Sequence, residues 1–334
     1  MKGQRKHSKK KWIMAGIIIV LAMIVVYWII VYFLVSAALV PAFMAKLDAF
    51  ERVTVQSYAE QSHTTDISEN RKEALEKTKE WLSVHPPQKR EILSEDGFRL
   101  VASEFRQEES KDHFWAVLLH GYTGWKEEMY PFAREYFTRG YHCLVPDLRC
   151  QGESEGDFIG MGYTDSNDVL RWIDLILAED PEAKIVLHGQ SMGAATAVIL
   201  SGNAALPENV VAAVTDSSYV DACTMFGEKA KAWFHLPSFP IVNSMRDMLL
   251  FRGGYDLYRA SPIRTVESAG IPILFIHGSE DKMISVDQAY ALYDADPSEK
   301  QLLIIEGAGH GQPQDKDPGK YYGTIFSFLG QHLS

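Results

Sequence analysis

Residues 185–195 read Ile185-Val186-Leu187-His188-Gly189-Gln190-Ser191-Met192-Gly193-Ala194-Ala195. An apolar run ends in Gly-x-Ser-x-Gly and passes directly into a stretch of small residues. That order predicts a strand, a sharp turn and a helix, with Ser191 on the turn. A serine at such a turn sits in strained backbone geometry, and the flanking glycines remove the Cβ clashes that would forbid it. The hydroxyl then projects above the sheet edge, beside the backbone N–H groups of a helix N-terminus. Gly-x-Ser-x-Gly on its own could be a plain turn. Its place between an apolar strand and a helix makes Ser191 the candidate nucleophile.

A serine hydroxyl needs a base to take its proton at neutral pH. His310 stands in Gly307-Ala308-Gly309-His310-Gly311, directly after the last predicted strand, where glycines on both sides leave the imidazole free to be placed. His188 and His277 end strands and lack a comparable loop, and His120 belongs to another element. The base requires a carboxylate to hold one tautomer and stabilise its cation. Asp281, in His277-Gly278-Ser279-Glu280-Asp281, follows a strand ending at the same sheet edge. Its neighbour Glu280 and the strand-end Asp216 are the rivals, Asp216 being the alternative acid. Charge that develops on a substrate oxygen needs preorganised donors. His120-Gly121-Tyr122-Thr123-Gly124 follows a strand and offers them, so the N–H groups of Tyr122 and Met192 form the candidate oxyanion hole.

Outward from this centre the pattern is regular. Glu91–Leu93 and Phe98–Phe105 flank Ser94-Glu95-Asp96-Gly97, an Asp-Gly hairpin signal. Trp115–Leu119, Tyr141–Val145, Lys184–Leu187, Val210–Val214, Ile271–Ile276 and Gln301–Ile305 are further expected strands. Helical periodicity falls near Pro131–Thr138, Thr164–Ala178, Met192–Ser201, Val286–Asp294 and Tyr321–His332. Strands separated by helices predict an α/β architecture with a mostly parallel sheet covered on both faces. Residues 218–261 break the alternation and are dense in large apolar side chains, including Met225, Phe226, Phe239, Met245, Leu249 and Phe251. So long a connection predicts a helical cap inserted over the C-terminal edge of the sheet.

These elements, together with Asp147-Leu148-Arg149-Cys150-Gln151-Gly152-Glu153-Ser154, resemble the α/β-hydrolase superfamily. The nearest likeness is to its bacterial branch of membrane-anchored esterase-like or serine-aminopeptidase-like hydrolases. The resemblance covers roughly residues 88–334 and implies hydrolysis without metal or organic cofactor. The chain order Ser191, Asp281, His310 is the order of that superfamily. Cys150-Gln151 departs from it, since relatives commonly show Gly-His there.

The expected reaction is cleavage of a carboxylic ester through an acyl-enzyme, with a small acyl compound as substrate. The apolar cap suggests a hydrophobic acyl or aryl group, although its residues could equally be the cap's own packing or a face resting on lipid. A peptidase or amidase with the same triad is the alternative, although no charged group to hold a peptide terminus is evident. A catalytically inactive surface binding protein is the alternative from another class, and the intact Ser191, Asp281 and His310 count against it.

From Trp12 to Ala45 no side chain is charged, a length beyond the ~20 residues that cross a hydrocarbon layer. A cleavable leader would have an apolar region of about 7–15 residues, so a transmembrane anchor over 12–40 is expected. Small residues at Ser36-Ala37-Ala38 keep cleavage open. Residues 1–11 are basic and form the expected cytoplasmic N-terminus, placing the body outside the cell by the positive-inside rule. Residues 41–88 read as a linker with a packing helix over Asn70–Trp81, preceded by Asp66 and Glu69 as a capping box and stopped by Pro86-Pro87. The domain proper is expected at 89–334.

The formal net charge of −11 divides into +6 over the first eleven residues and −17 over the rest. A body so acidic, with no basic stripe, excludes a nucleic-acid partner. Cys143, Cys150 and Cys223 have no metal-ligand spacing and read as buried thiols, with at most one incidental bridge.

Overall fold

The structure, a computed structural model, describes residues 2–44, 65–107 and 112–333. Part of the expected linker, 45–64, lies outside the described residues. The strands are β1 (Gln88–Leu93), β2 (Arg99–Phe105), β3 (Phe114–Leu119), β4 (His142–Pro146), β5 (Lys184–Gln190), β6 (Val210–Asp216), β7 (Ile273–Gly278) and β8 (Lys300–Ile305). They form one sheet in the order β1-β2-β4-β3-β5-β6-β7-β8. β1 and β2 make the expected hairpin, closed where Gly97 takes φ 89°, and β2 lies antiparallel to β4. All the remaining pairs are parallel. The sheet is therefore mostly parallel, and β3, β5, β6, β7 and β8 present their C-terminal ends along one edge.

Successive side chains on a strand face opposite sides, and here both sides are buried. Trp115, Val117 and Leu119 of β3, with Ile185 and Leu187 of β5, enter one core. That core also holds Val169, Trp172 and Ile176 of a helix over Tyr163–Glu179, and Ala195 and Val198 of the helix Met192–Ser201. Ala116, Leu118 and Val186 enter the other. There they meet Phe132 and Tyr136 of the helix Tyr130–Phe137 and Tyr321, Ile325 and Phe328 of the helix Pro318–Gly330.

The long helices are labelled in chain order: α1 (Lys2–Leu39), α2 (Thr65–Val84), α3 (Tyr130–Phe137), α4 (Tyr163–Glu179), α5 (Met192–Ser201), α6 (Ala222–Phe234), α7 (Ser238–Gly253), α8 (Val286–Ala295) and α9 (Pro318–Gly330). α2 brings Trp81 against Phe105 and Phe137, with ring centroids 4.7 and 5.3 Å apart. Residues 218–261 fold as α6, α7 and a short 3₁₀ turn at Leu257–Arg259. α7 buries Val242, Met245 and Leu249, and it packs along the last turns of α1, whose Val31, Val35 and Leu39 are buried. From Trp12 to Ile30 α1 is apolar and exposed: Ile13, Ile18, Leu21, Ile24 and Ile29 all face outward, and Lys10–Leu39 is long and apolar enough to cross a membrane.

Candidate active site

Ser191 lies between β5 and α5 with φ 55° and ψ −112°, a conformation that a residue with a Cβ adopts only under strain. The two neighbouring glycines explain how the chain makes this turn. A Cβ on Gly189 would stand 2.1 Å from the carbonyl oxygen of Gly193, and one on Gly193 would stand 2.1 Å from that of Leu119. The Ser191 N–H donates to Asp216 O at 2.7 Å, tying the turn to the end of β6.

His310 Nε2 is 2.9 Å from Ser191 Oγ, and His310 Nδ1 is 2.7 Å from Asp281 Oδ2. The proton placement follows from chemistry. A carboxylate only accepts, so Nδ1 carries the hydrogen, and Nε2 of the neutral ring is left to accept from the serine hydroxyl. The carboxylate is fixed in turn. Asp281 Oδ1 accepts from the N–H groups of Met283 and Ile284, both at 2.8 Å. Burial would raise its pKa, but His310 and His277 beside it hold the carboxyl well below the usual range. The loop turns at Gly307 (φ 71°) and Gly311 (φ 61°), and this lets His310 reach back over β5.

Asp216 takes another part. Its carboxylate accepts from the hydroxyls of Ser217 at 2.8 Å and Tyr321 at 3.0 Å, and burial raises its pKa. Tyr321 passes the chain on to His188, 3.1 Å away, which in turn lies 3.1 Å from Tyr136. Burial pushes His188 down to about 3, so it is a neutral core histidine beneath the turn.

The loop after β3 abuts Ser191, since a Cβ on Gly121 would be 3.5 Å from Ser191 Cβ. Buried His120 holds this loop: its Nε2 accepts from Leu148 N–H at 2.9 Å, so Nδ1 bears the hydrogen and donates to Gly121 O at 2.8 Å. Burial lowers its pKa to about 4, which keeps it neutral. Tyr122 follows, and its hydroxyl donates to Ala38 O at the end of α1. Met192 opens α5, and a residue at that position has no carbonyl one turn back to bond within the helix. Tyr122 and Met192 thus flank Ser191 from the two elements the sequence indicated.

Sequence reasoning missed His277. Its Nε2 donates to Ile284 O at 2.8 Å and lies 3.2 Å from Asp281 Oδ2. Burial works against its charged form, yet the Asp281 carboxylate raises its pKa. The spacing His277…Asp281, set across a turn, was the signal. Glu280, the other rival acid, places its N–H on Ala308 O at 2.9 Å.

Ser191 and His310 open into a cavity of about 1350 Å³. Among the described residues its walls come from α2 (Arg71, Leu75), the loop after β3 (Trp125), Gln151, Gln190 and α9 (Tyr322). No described residue of 218–261 lines it, so of the three expectations for the cap's apolar side chains this cavity does not support the acyl pocket. α2 takes that place instead, held by Arg71 Nε to Asp315 Oδ2 at 2.8 Å. Among the described residues neither amide atom of buried Gln151 has a hydrogen-bond partner, at the position where the sequence departs from the Gly-His pattern. All three cysteines are free; Cys143 is buried, while Cys150 and Cys223 are half-buried.

A family model described as the alpha/beta hydrolase family matches residues 116–321. The uncharacterized protein YqkD of Bacillus subtilis (strain 168) is 26% identical over 214 residues, covering 64% of this chain and 70% of YqkD. The uncharacterized protein Rv2307c of Mycobacterium tuberculosis is also 26% identical, over 71% of this chain and 77% of its own length. Among solved structures, the Pyrococcus furiosus esterase Pf2001 aligns with a TM-score of 0.61 at 21% identity, covering 76% of this chain and 95% of the esterase. The Pyrococcus horikoshii acylaminoacyl peptidase aligns with a TM-score of 0.56 at 21% identity, over 75% of this chain and 42% of the peptidase. At such identities the two structures are likenesses of fold.

Proposed function

The chain belongs to the alpha/beta hydrolase family, and on that premise we propose that it is a serine hydrolase that cleaves carboxylic esters through an acyl-enzyme on Ser191. The observation that carries the reading is the continuous hydrogen-bonded line from Ser191 Oγ through His310 to Asp281, at 2.9 and 2.7 Å. Ser191 Oγ attacks the ester carbonyl carbon while its proton passes to His310 Nε2. Asp281 stabilises the imidazolium without taking a proton, as its depressed pKa requires. The N–H groups of Tyr122 and Met192 receive the oxyanion. Collapse breaks the bond to the alcohol, which leaves with the proton from His310. A water then gives a proton to His310 and attacks the acyl carbon, and the acid departs as Ser191 regains its hydrogen.

Leu75, Trp125 and Phe132 beside Arg71, Gln151 and Gln190 in one cavity favour an amphipathic acyl compound as substrate. α1 serves in this reading as a membrane anchor, with the N-terminus cytoplasmic and the hydrolase domain outside, as the basic residues before Trp12 favour.

The test compares p-nitrophenyl esters of graded acyl length with aminoacyl p-nitroanilides on wild type and Ser191→Ala. Ester turnover that disappears in the variant supports the proposal. Turnover confined to the anilides replaces it with a peptidase. Absence of both, with no labelling by a fluorophosphonate, leaves a binding protein.

A further inference from the structure

α7 runs along the outer part of α1 in the same direction. The Tyr27 and Ser244 hydroxyls are 2.7 Å apart. Further along both helices, Arg252 Nη1 donates to Ser36 Oγ at 2.9 Å, and its guanidinium lies 4.2 Å over the Tyr32 ring. Besides these polar pairs, Val31 and Val35 of α1 and Met245 and Leu249 of α7 are buried in one apolar cluster.

This register has a consequence for depth. The uncharged stretch starts at Trp12, and at 1.5 Å per residue Tyr27 stands only about 22 Å along the helix from it. The hydrocarbon layer is about 30 Å thick. An α1 that spans it from Trp12 therefore carries Tyr27, and Ser244 against it, inside the far edge. Arg252, level with Ser36, falls among the headgroups, where a cation belongs. The turn between α6 and α7 precedes Ser244 and so lies deeper still.

The chemistry of that turn fits the depth. From Ala232 to Met245 there is no Asp, Glu, Lys or Arg, and Lys231 on one side and Arg246-Asp247 on the other bound the stretch. Phe234 is 52% and Phe239 74% exposed, with Pro237 and Pro240 also exposed beside them. Irregular backbone is costly in lipid because its polar groups have no water to bond. Here His235 and Leu236 donate their N–H groups to Lys231 and Ala230 carbonyls, and the two prolines have none to satisfy.

We propose that the α6–α7 turn, Phe234–Pro240, inserts among the acyl chains of the bilayer beside α1, so that the cap is a second membrane contact. The proposal rests on the reading of α1 as a membrane-spanning helix and is independent of the chemistry at Ser191. It assigns the cap's apolar surface to lipid, in keeping with a cavity whose described walls include none of it.

The full chain is reconstituted into phosphatidylcholine–phosphatidylglycerol vesicles containing a trace of phospholipid with a diazirine on the acyl chain, irradiated, and mapped by peptide mass spectrometry. Adducts are expected both on residues 13–26 and on 232–242. In the Phe234→Asp/Phe239→Asp variant the second set should drop by about ten-fold or more, since a carboxylate is strongly disfavoured in hydrocarbon, while the first set persists. Fluorophosphonate labelling of Ser191 in both proteins reports the hydrolase reading separately and serves as the check on folding. Adducts confined to α1 in the wild type would overturn the proposal. Adducts on neither segment would overturn it together with the membrane-spanning role of α1.

Discussion

The carbonyl oxygen of Leu119 occupies the space that a Cβ on residue 193 would need, 2.1 Å from it. The end of β3 and the start of α5 are pressed together there, and Ser191 is held at their junction. The obstacle is backbone, which cannot rotate out of the way as a side chain could.

Gly193→Ala should therefore be destabilised by about 3 kcal/mol or more, as expected when a new side chain overpacks a closed site. Thermal unfolding of the full chain in detergent measures it. A melting temperature within a degree of wild type would mean that β3 and α5 are not so closely apposed.

Asp281→Asn leaves the shape of the site but removes the charge that faces His310 and His277. Ester turnover should fall by about 10⁴-fold, the scale on which a triad carboxylate acts through the tautomer of its histidine. The same variant has a signature in acid. The folded-state pKa of Asp281 is depressed, so its contribution to stability is complete above the unfolded value of about 4 and is lost as pH falls through the lower folded value. The stability gap between wild type and variant should thus be widest near neutrality and narrow below about pH 4. A gap that does not change between pH 7 and pH 3 would contradict the pairing.

Much of this arrangement was legible in the residues. The sheet followed from apolar runs such as Trp115–Leu119 and Ile185–Leu187, because a strand buried on both faces leaves a continuous hydrophobic signature. That Ser191, His310 and Asp281 would meet was legible because each follows a strand ending on the same edge of a parallel sheet. The part of His277 was not, since the His277…Asp281 spacing brings the two together only across a turn whose course that spacing does not specify. Nor was the part of α2 in the cavity, because α2 reaches it by tertiary contacts, of Arg71 and Asn70 with Asp315 and of Ala74 and Thr78 with Arg134. The apolar residues of the cap announced burial without saying against what. The structure buries Met245 and Leu249 in the cluster that holds Val31 and Val35 of α1, and leaves Phe234, Phe239 and Phe251 exposed.

Arg71→Ala should test the role of α2. Asp315 is buried, and burial raises its pKa despite the nearby guanidinium. Losing that partner should cost about 1–3 kcal/mol and raise KM for esters more than it lowers kcat, because α2 forms a cavity wall while the hydrogen bonds joining Ser191, His310, Asp281, Met283 and Ile284 lie in other elements. Unchanged KM with a large fall in kcat would place α2 in the chemistry instead.

A protease added to intact cells should digest the body of the protein, if α1 spans the membrane with its basic end inside. Protection from external protease, abolished on permeabilisation, would reverse the orientation.

The central claim is that Ser191 forms the covalent intermediate. Purified protein should be treated with a fluorophosphonate in parallel as wild type and Ser191→Ala, followed by intact mass and peptide mapping. The account predicts one equivalent of adduct on Ser191 in the wild type and none in the variant. Modification at any other residue, or no modification of folded wild type, would contradict it.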